Sequence, residues 1–309
     1  MKVLGFGAVL WDDIGDPAGP PPESVIGEVN IGGAVFNVVV HLSRLGYTAY
    51  MVSAVGKDPL GERTWREVDR LDIHRDFISA VDAPTCLIEV TFDSKGFPHY
   101  SSPDVVSWDQ IGGTENMIAD VDAVGFDYLV FGTLEQRSAM SRATLRNLLE
   151  GARFKSVFLD LTLRGNYYDR DLLDYSMRKS DIVKMNDDEA LVVSELFGFG
   201  SEAPRDLISP IAREFGTEVV CITMGDRGAL VGDRSSVLHA PAYRVAVADT
   251  VGGGDAFSAG LLFQLGRGAS LAEACAFGNK MGGLISSKRS SLPDYDPEEI
   301  ERITEKLDS

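Results

Sequence analysis

Six short apolar runs, at residues 2–7, 49–55, 127–131, 156–160, 181–185 and 218–223, constrain this chain more than any other feature. They are rich in β-branched or aromatic residues, most are bounded by Gly, Asp or Asn, and amphipathic stretches lie between several of them. A strand that is apolar on both faces must be covered on both faces. Such runs alternating with helices therefore predict βαβ units and a largely parallel sheet between helices. Residues 137–153, carrying Leu145, Leu148 and Leu149, predict one covering helix. Residues 35–45 fit two patterns. Val38-Val39-Val40 suits a strand, whereas Phe36, Val39, Val40 and Leu42 share one helical face, and helix is the reading adopted. The C-terminal part predicts helices at 256–265, 271–286 and 298–307, the last introduced by a capping Asp296, then Pro297, then Glu298 and Glu299 at the positive end of the helix dipole.

Two regions break this rhythm. One is 23–31. The other is 86–102, where two alternating segments flank Asp93-Ser94-Lys95-Gly96 and predict a β-hairpin. Strands outside the βα series are expected to form a small separate sheet, a lid over the edge of the main domain. The Pro-rich stretch Asp16-Pro17-Ala18-Gly19-Pro20-Pro21-Pro22 excludes helix but is too short to link independent domains.

The net charge of −18 argues against nucleic acid and anionic membranes as partners. It leaves room for a bound anion, because clustered backbone N–H groups can hold phosphate inside an acidic protein. Cys86, Cys221 and Cys275 are odd in number and widely spaced, so reduced, buried thiols are expected. The apolar N-terminal run soon meets Asp12-Asp13, unlike a signal peptide, and no stretch reaches the ~20 apolar residues of a membrane span. A cytoplasmic location is the expectation. His41, His74, His99 and His239 show no metal-ligand spacing.

The most informative chemistry lies in Val251-Gly252-Gly253-Gly254-Asp255-Ala256, directly before a strong helix pattern. Glycines let successive N–H groups converge, and a helix N-terminus adds free N–H groups and partial positive charge, which together suit phosphate. A carboxylate placed there repels phosphate unless it takes a proton from an attacking hydroxyl. The segment alone leaves two readings of Asp255 open, a base and an N-cap. It is neither a P-loop nor a dinucleotide fingerprint.

Asp249-Thr250-Val251-Gly252-Gly253-Gly254-Asp255-Ala256-Phe257 resembles the C-terminal signature of the ribokinase-like (PfkB) carbohydrate kinases, Asp-Thr-x-Gly-Ala-Gly-Asp-Ala-Phe. Gly32-Gly33-Ala34-Val35-Phe36-Asn37, followed by Leu45-Gly46 and residues 55–61, is similar to the family's N-terminal motif. Gly7 with Asp12, Asn186-x-x-Glu189 and Thr223-Met224-Gly225-Asp226-Arg227-Gly228 are similar to three further motifs, all in family order. Within the family the resemblance is nearest to fructokinases, with Asp160-Leu161-Thr162-Leu163-Arg164 similar to their Asp-x-Asn-x-Arg. Ala8, Val35 and Thr162 depart from the fructokinase pattern, all on or near the sugar side.

The resemblance implies one ribokinase-like α/β domain over residues 1–309: a three-layer sandwich with a central, mostly parallel sheet and a small β-lid from segments 12–34 and 84–104. It implies ATP and Mg²⁺ as cofactors, a monovalent cation such as K⁺ as an activator, and a homodimer paired through the lid. Asp255 would be the base, with Gly252, Gly253 and Gly254 as the anion hole. Asp12, Gly32, Gly33, Asn37 and Arg164 would bind a small sugar. Asn186, Thr223, Gly225, Gly228 and Asn279 would border ATP, and Glu189 would reach Mg²⁺ through water. Ribose, 2-keto-3-deoxygluconate or a nucleoside are the alternative substrates, and a non-catalytic sugar or nucleotide sensor is the alternative from another class.

Overall fold

The structure is a computed structural model that describes residues 1–14, 29–92, 98–101 and 103–307. The Pro-rich stretch and the hairpin turn at 93–96 lie outside the described residues. The chain opens with β1 (Lys2–Phe6), β2 (Leu10–Ile14) and β3 (Asn30–Gly32), then α1 (Ala34–Arg44), β4 (Thr48–Gly56) and α2 (Pro59–Arg70). β5 (Ile73–His74), β6 (Ile78–Val81), β7 (Leu87–Phe92) and β8 (Pro98–Ser101) follow. The βα series resumes with α3 (Met117–Val124), β9 (Phe126–Phe131), α4 (Ala139–Gly151), β10 (Phe154–Asp160), α5 (Arg170–Arg178), β11 (Ile182–Asn186), α6 (Asp187–Phe197), α7 (Pro204–Phe215) and β12 (Val219–Thr223). β13 (Ala229–Gly232), β14 (Val237–Ala240), α8 (Gly253–Gly266), α9 (Leu271–Ser286) and α10 (Pro297–Arg302) complete it.

Among the described residues, the main sheet runs β14-β13-β12-β11-β10-β9-β1-β4-β5, with β6 also on β4. Every pairing from β12 to β5 is parallel, and β13 and β14 are antiparallel additions at one edge. Alternate residues of β1 point to opposite faces. Val3 packs with Val39 of α1, Leu261 of α8 and Cys275 of α9. Leu4 and Phe6 pack into a second core with Leu145 of α4, Leu172 of α5, Val193 of α6 and Ile211 of α7. Covering both faces is what the unbroken apolar runs demanded. No helix among the described residues is long and apolar enough to cross a membrane.

The second sheet, β3-β2-β7-β8, joins β2 and β7 in parallel and closes both ends with antiparallel pairs. β7, β8 and most of β3 fall in the two segments outside the βα rhythm, but β2 lies before them and starts at Leu10, ahead of the lid segment expected from residue 12. Residues 35–45 are helical as read, apart from Leu45, which caps α1. Three boundaries differ from expectation. The helix expected over 137–153 starts at Ala139, because Leu134–Arg137 forms a 3-10 turn that buries Glu135 and Gln136. α8 starts at Gly253, so two glycines of the turn belong to its first turn. The last helix stops at Arg302, and Lys306 instead bridges to Tyr243.

Candidate active site

Parallel strands deliver their carboxyl ends to one edge of the sheet, and the residues after β1, β10, β11 and β12 meet there beside the N-terminus of α8. Gly252 is the N-cap of α8, with φ of 80°, and a Cβ there would lie 2.6 Å from Ser291 Cα. Only glycine takes this conformation this close to another backbone. The Gly253 N–H turns back to Thr250 O at 3.3 Å. The next N–H groups, on Gly254 and Asp255, have no intrahelical acceptor. No side chain caps the helix. Asp255 is therefore not an N-cap, and its Oδ2 instead accepts from Asn37 Nδ2 at 2.7 Å. Burial, reinforced by the Asp160 carboxylate, pushes the Asp255 pKa up to about 7, against the pull of Asn37, Lys184 and Arg164. A carboxylate poised near neutrality has the proton affinity suited to a general base.

The residues expected on the sugar side converge from β2, β3 and α1. Gly33 precedes α1 at φ of 125°, and a Cβ there would lie 2.3 Å from Ala8 O. The space where a Cβ of Gly32 would stand is ringed by Asp12 Oδ2 at 3.3 Å, Asn37 Oδ1 at 3.7 Å and Ser291 Oγ at 3.7 Å. Asn37 is buried, and its Oδ1 has no hydrogen-bond partner. Burial raises the Asp12 pKa to about 6. These oxygens form an acceptor-rich wall that suits the hydroxyl donors of a sugar. Arg164 is exposed, with Nη1 donating to Leu163 O at 3.1 Å, yet its charge is felt at Asp255.

Behind the turn, Asp160 of β10 pairs with Lys184 of β11 at 2.9 Å, and Asp160 Oδ2 accepts from the Ser258 hydroxyl of α8 at 2.7 Å. Glu189 is largely buried. Its Oε2 accepts from Asn186 N at 2.9 Å and its Oε1 from Leu163 N at 3.1 Å, while Asn186 Oδ1 accepts from Glu189 N at 2.8 Å. Asn186 and Glu189 thus cap α6 reciprocally. Among the described residues, no three His, Cys, Asp or Glu side chains converge to hold a metal alone.

The residues expected on the nucleotide side lie further along the edge. Thr223 lies opposite Asn186 in the β11–β12 register. Gly225 and Gly228 have φ of 60° and 80°, and a Cβ on Gly228 would lie 2.2 Å from Ala240 O. Asn279 Nδ2 of α9 donates to Ala240 O at 2.9 Å and Pro241 O at 3.0 Å. Arg227 pairs with Asp187, tying the turn after β12 to α6. Asn279 thereby secures the backbone beside Gly228.

Sequence reasoning did not find Ser291, Ser258 or Glu135. Glu135 is buried under β1, with Oε1 accepting from Ala8 N at 2.8 Å. Ser291 reaches the pocket because His41 Nε2 sits 3.1 Å from its carbonyl and Arg44 Nη1 donates to Pro293 O at 2.8 Å. No local pattern marks these residues, because each is recruited by a contact far along the chain.

The chain is 28% identical over 279 residues to a fructokinase of Klebsiella pneumoniae, covering 84% of this chain and 87% of that one. It superposes on an uncharacterized sugar kinase from Pyrococcus horikoshii in complex with ATP, with a TM-score of 0.73, 25% identity and coverage of 94% and 93%. It also superposes on aminoimidazole riboside kinase from Salmonella enterica, complexed with aminoimidazole riboside and an ATP analog, with a TM-score of 0.78, 24% identity and coverage of 98% and 99%. Residues 12–296 match the pfkB family of carbohydrate kinases. The chain belongs to that family of carbohydrate kinases and has the ribokinase-like α/β fold.

Proposed function

We propose that the chain transfers the γ-phosphoryl group of ATP to the primary hydroxyl of an uncharged, fructose-like sugar. One observation carries this reading: Asp255, held by Asn37 at the N-terminus of α8, is a carboxylate with a pKa pushed to about 7 beside an anion-binding backbone. Asp255 takes the hydroxyl proton, the freed oxygen attacks the γ-phosphorus, and the bond to the ADP oxygen breaks. The Gly252–Gly254 turn is the anion hole; its Gly253 N–H bonds Thr250 O, and the free N–H groups of Gly254 and Asp255 face the charge on the transferring phosphoryl. Asp12, Gly32, Gly33 and Asn37 hold the sugar hydroxyls, and Arg164 sits at the rim. Asn186, Thr223, Gly225, Gly228 and Asn279 border the nucleotide. Glu189 would hold Mg²⁺ through water, and the bound ion would neutralise charge on the phosphates; K⁺ is the expected activating cation. The whole chain acts as one domain. Its second sheet closes over the sugar and excludes water that would otherwise hydrolyse ATP, and the same sheet is the surface through which two copies pair.

The relatives support the chemistry more closely than the acceptor, since a fructokinase and a riboside kinase both resemble the chain. A coupled ADP-release assay over fructose, ribose, 2-keto-3-deoxygluconate and nucleosides tests the reading. Highest kcat/KM with fructose supports it. A better acceptor reassigns the substrate. No ADP release with any acceptor leaves the sensor reading in its place.

A further inference from the structure

Ser291 borders the pocket beside Gly32 and has no part in the roles given so far. It is 5% exposed, and among the described residues its hydroxyl makes no hydrogen bond. Its position is nonetheless fixed from several sides. The Ser291 carbonyl can only accept, so His41 Nε2, 3.1 Å away, carries the ring proton, and His41 Nδ1 accepts from the Tyr295 hydroxyl at 3.1 Å. Burial, helped by the Arg44 charge, holds the His41 pKa down to about 3, so this clamp stays neutral. Arg44, further along α1, donates to Pro293 O at 2.8 Å and Leu292 O at 3.3 Å. Ser290 takes φ of 91°, a conformation that L side chains avoid. Such strain persists only where the surroundings impose it, and it gathers at ligand sites. On its other side Ser291 is pressed against Gly252, where a Cβ would lie 2.6 Å from both Cα and Cβ of Ser291.

The hydroxyl held in this way faces two acceptors. Asn37 Nδ2 is committed to Asp255, which turns Oδ1 of the same amide the other way. Asp12 Oδ2, Asn37 Oδ1 and Ser291 Oγ then stand 3.3, 3.7 and 3.7 Å from the point that a Gly32 Cβ would occupy. An ionised carboxylate and an amide oxygen only accept, whereas a serine hydroxyl also donates. A substrate group seated here must offer a proton to the acceptors and a lone pair to Ser291. A hydroxyl does both. A carbonyl oxygen brings no proton, an ammonium brings no lone pair, and a bare methylene leaves Asn37 Oδ1 buried without a partner.

We infer that Ser291 is a specificity-determining residue of the sugar site: its hydroxyl donates to the oxygen of a substrate hydroxyl whose proton goes to Asp12 or Asn37, so that this position of the substrate is read as a hydroxyl. The inference rests on the sugar-kinase reading above. The hydroxyl concerned is not the one phosphorylated, whose proton goes to Asp255.

The test uses the full chain and Ser291→Ala, which keeps the Cβ against Gly252, removes only the hydroxyl and is expected to melt like the wild type. The substrates are the best acceptor of the panel above, fructose on the present reading, and its monodeoxy analogues that keep the phosphorylated hydroxyl. In the wild type one analogue is expected to lose about a hundredfold in kcat/KM, because buried acceptors are left unpaired. Ser291→Ala is expected to lose about tenfold with the parent sugar, mostly through KM, and less than about twofold with that analogue. Discrimination at that one carbon therefore shrinks while discrimination at the others holds. A merely structural role would slow every substrate alike, and that outcome overturns the proposal, as does unchanged turnover of the parent sugar. Calorimetry of sugar binding without ATP repeats the comparison on Kd and separates the proposal from the function. A loss confined to the same hydroxyl sustains Ser291 even where no phosphate is transferred. Equal Kd in the two proteins, or no sugar binding by either, overturns it even where the chain proves to be a kinase.

Discussion

Replacing Asp255 by Asn should make the protein slower and more stable at once. Asp255 ionises at about 7 in the folded chain against an ordinary 3.8. The folded chain therefore binds its proton more tightly than the unfolded chain does. That contribution to stability is fully present below about pH 4 and is lost as pH rises through about 7. Above pH 7, keeping the carboxylate ionised in its buried setting costs about 4 kcal/mol. Because the residue keeps some contact with solvent, roughly 2–3 kcal/mol is the expected gain on neutralising it. The introduced amide would be neutral at every pH and would still accept from Asn37. At roughly 2 °C per kcal/mol for a chain of this length, Tm should rise by about 5 °C at pH 8 and by only about 2 °C at pH 5. Over the same range kcat should fall about a thousandfold through loss of the base. Differential scanning calorimetry at the two pH values, paired with a coupled ADP assay, measures both. Turnover within about tenfold of wild type would refute the base assignment. A Tm gain equal at pH 5 and pH 8, or no gain, would refute the account of a strained buried charge. In the wild type the same pKa predicts that kcat/KM climbs as pH rises through about 7, since the base must be unprotonated.

Asp12→Asn should raise KM for the sugar about tenfold to a hundredfold with little change in kcat, because it weakens charged hydrogen bonds made equally in ground and transition states. Wild-type KM should rise in parallel below about pH 6, where Asp12 takes up a proton; a flat KM profile would exclude Asp12 from the sugar site. Gly33→Ala forces a side chain to φ of 125° and against Ala8 O. It should cost about 3 kcal/mol in a urea titration, and wild-type stability would show that the turn can relax. Glu189→Gln should raise the Mg²⁺ concentration for half-maximal rate about tenfold, and an unchanged titration would leave Glu189 as the cap of α6 alone.

Much of this molecule is legible in one dimension because its signals are local. Burial on both faces of a parallel strand forces an unbroken apolar run, so the strands at 2–7, 127–131 and 218–223 declare themselves. Positive φ at Gly33 and Gly252 forces glycine, so the turns that open α1 and α8 declare themselves too. The helix at 35–45 needed only its face to be counted. Boundaries were less legible where a tertiary contact outweighed propensity. The turn at Leu134–Arg137 swings Glu135 inward to the Ala8 N–H instead of extending α4. At the other end of the chain, the helix expected to reach residue 307 gives way to a bridge between Lys306 and Tyr243.

The glycine turn shows where the division falls. Its sequence determined a left-handed cap, an anion-binding helix start and a carboxylate placed within it, because backbone conformation and helix polarity are set by neighbours along the chain. Whether Asp255 capped the helix or was free for other chemistry was decided by the tertiary structure alone. Asn37 arrives from α1 to hold the carboxylate, and Asp160 arrives from β10 to help raise its pKa. Ser291 and Lys184 are brought in the same way, by loop clamping and by strand register. Proton affinity depends on burial and on charges within a few ångströms, and in this protein those charges come from residues far away in the chain, where no local pattern records them.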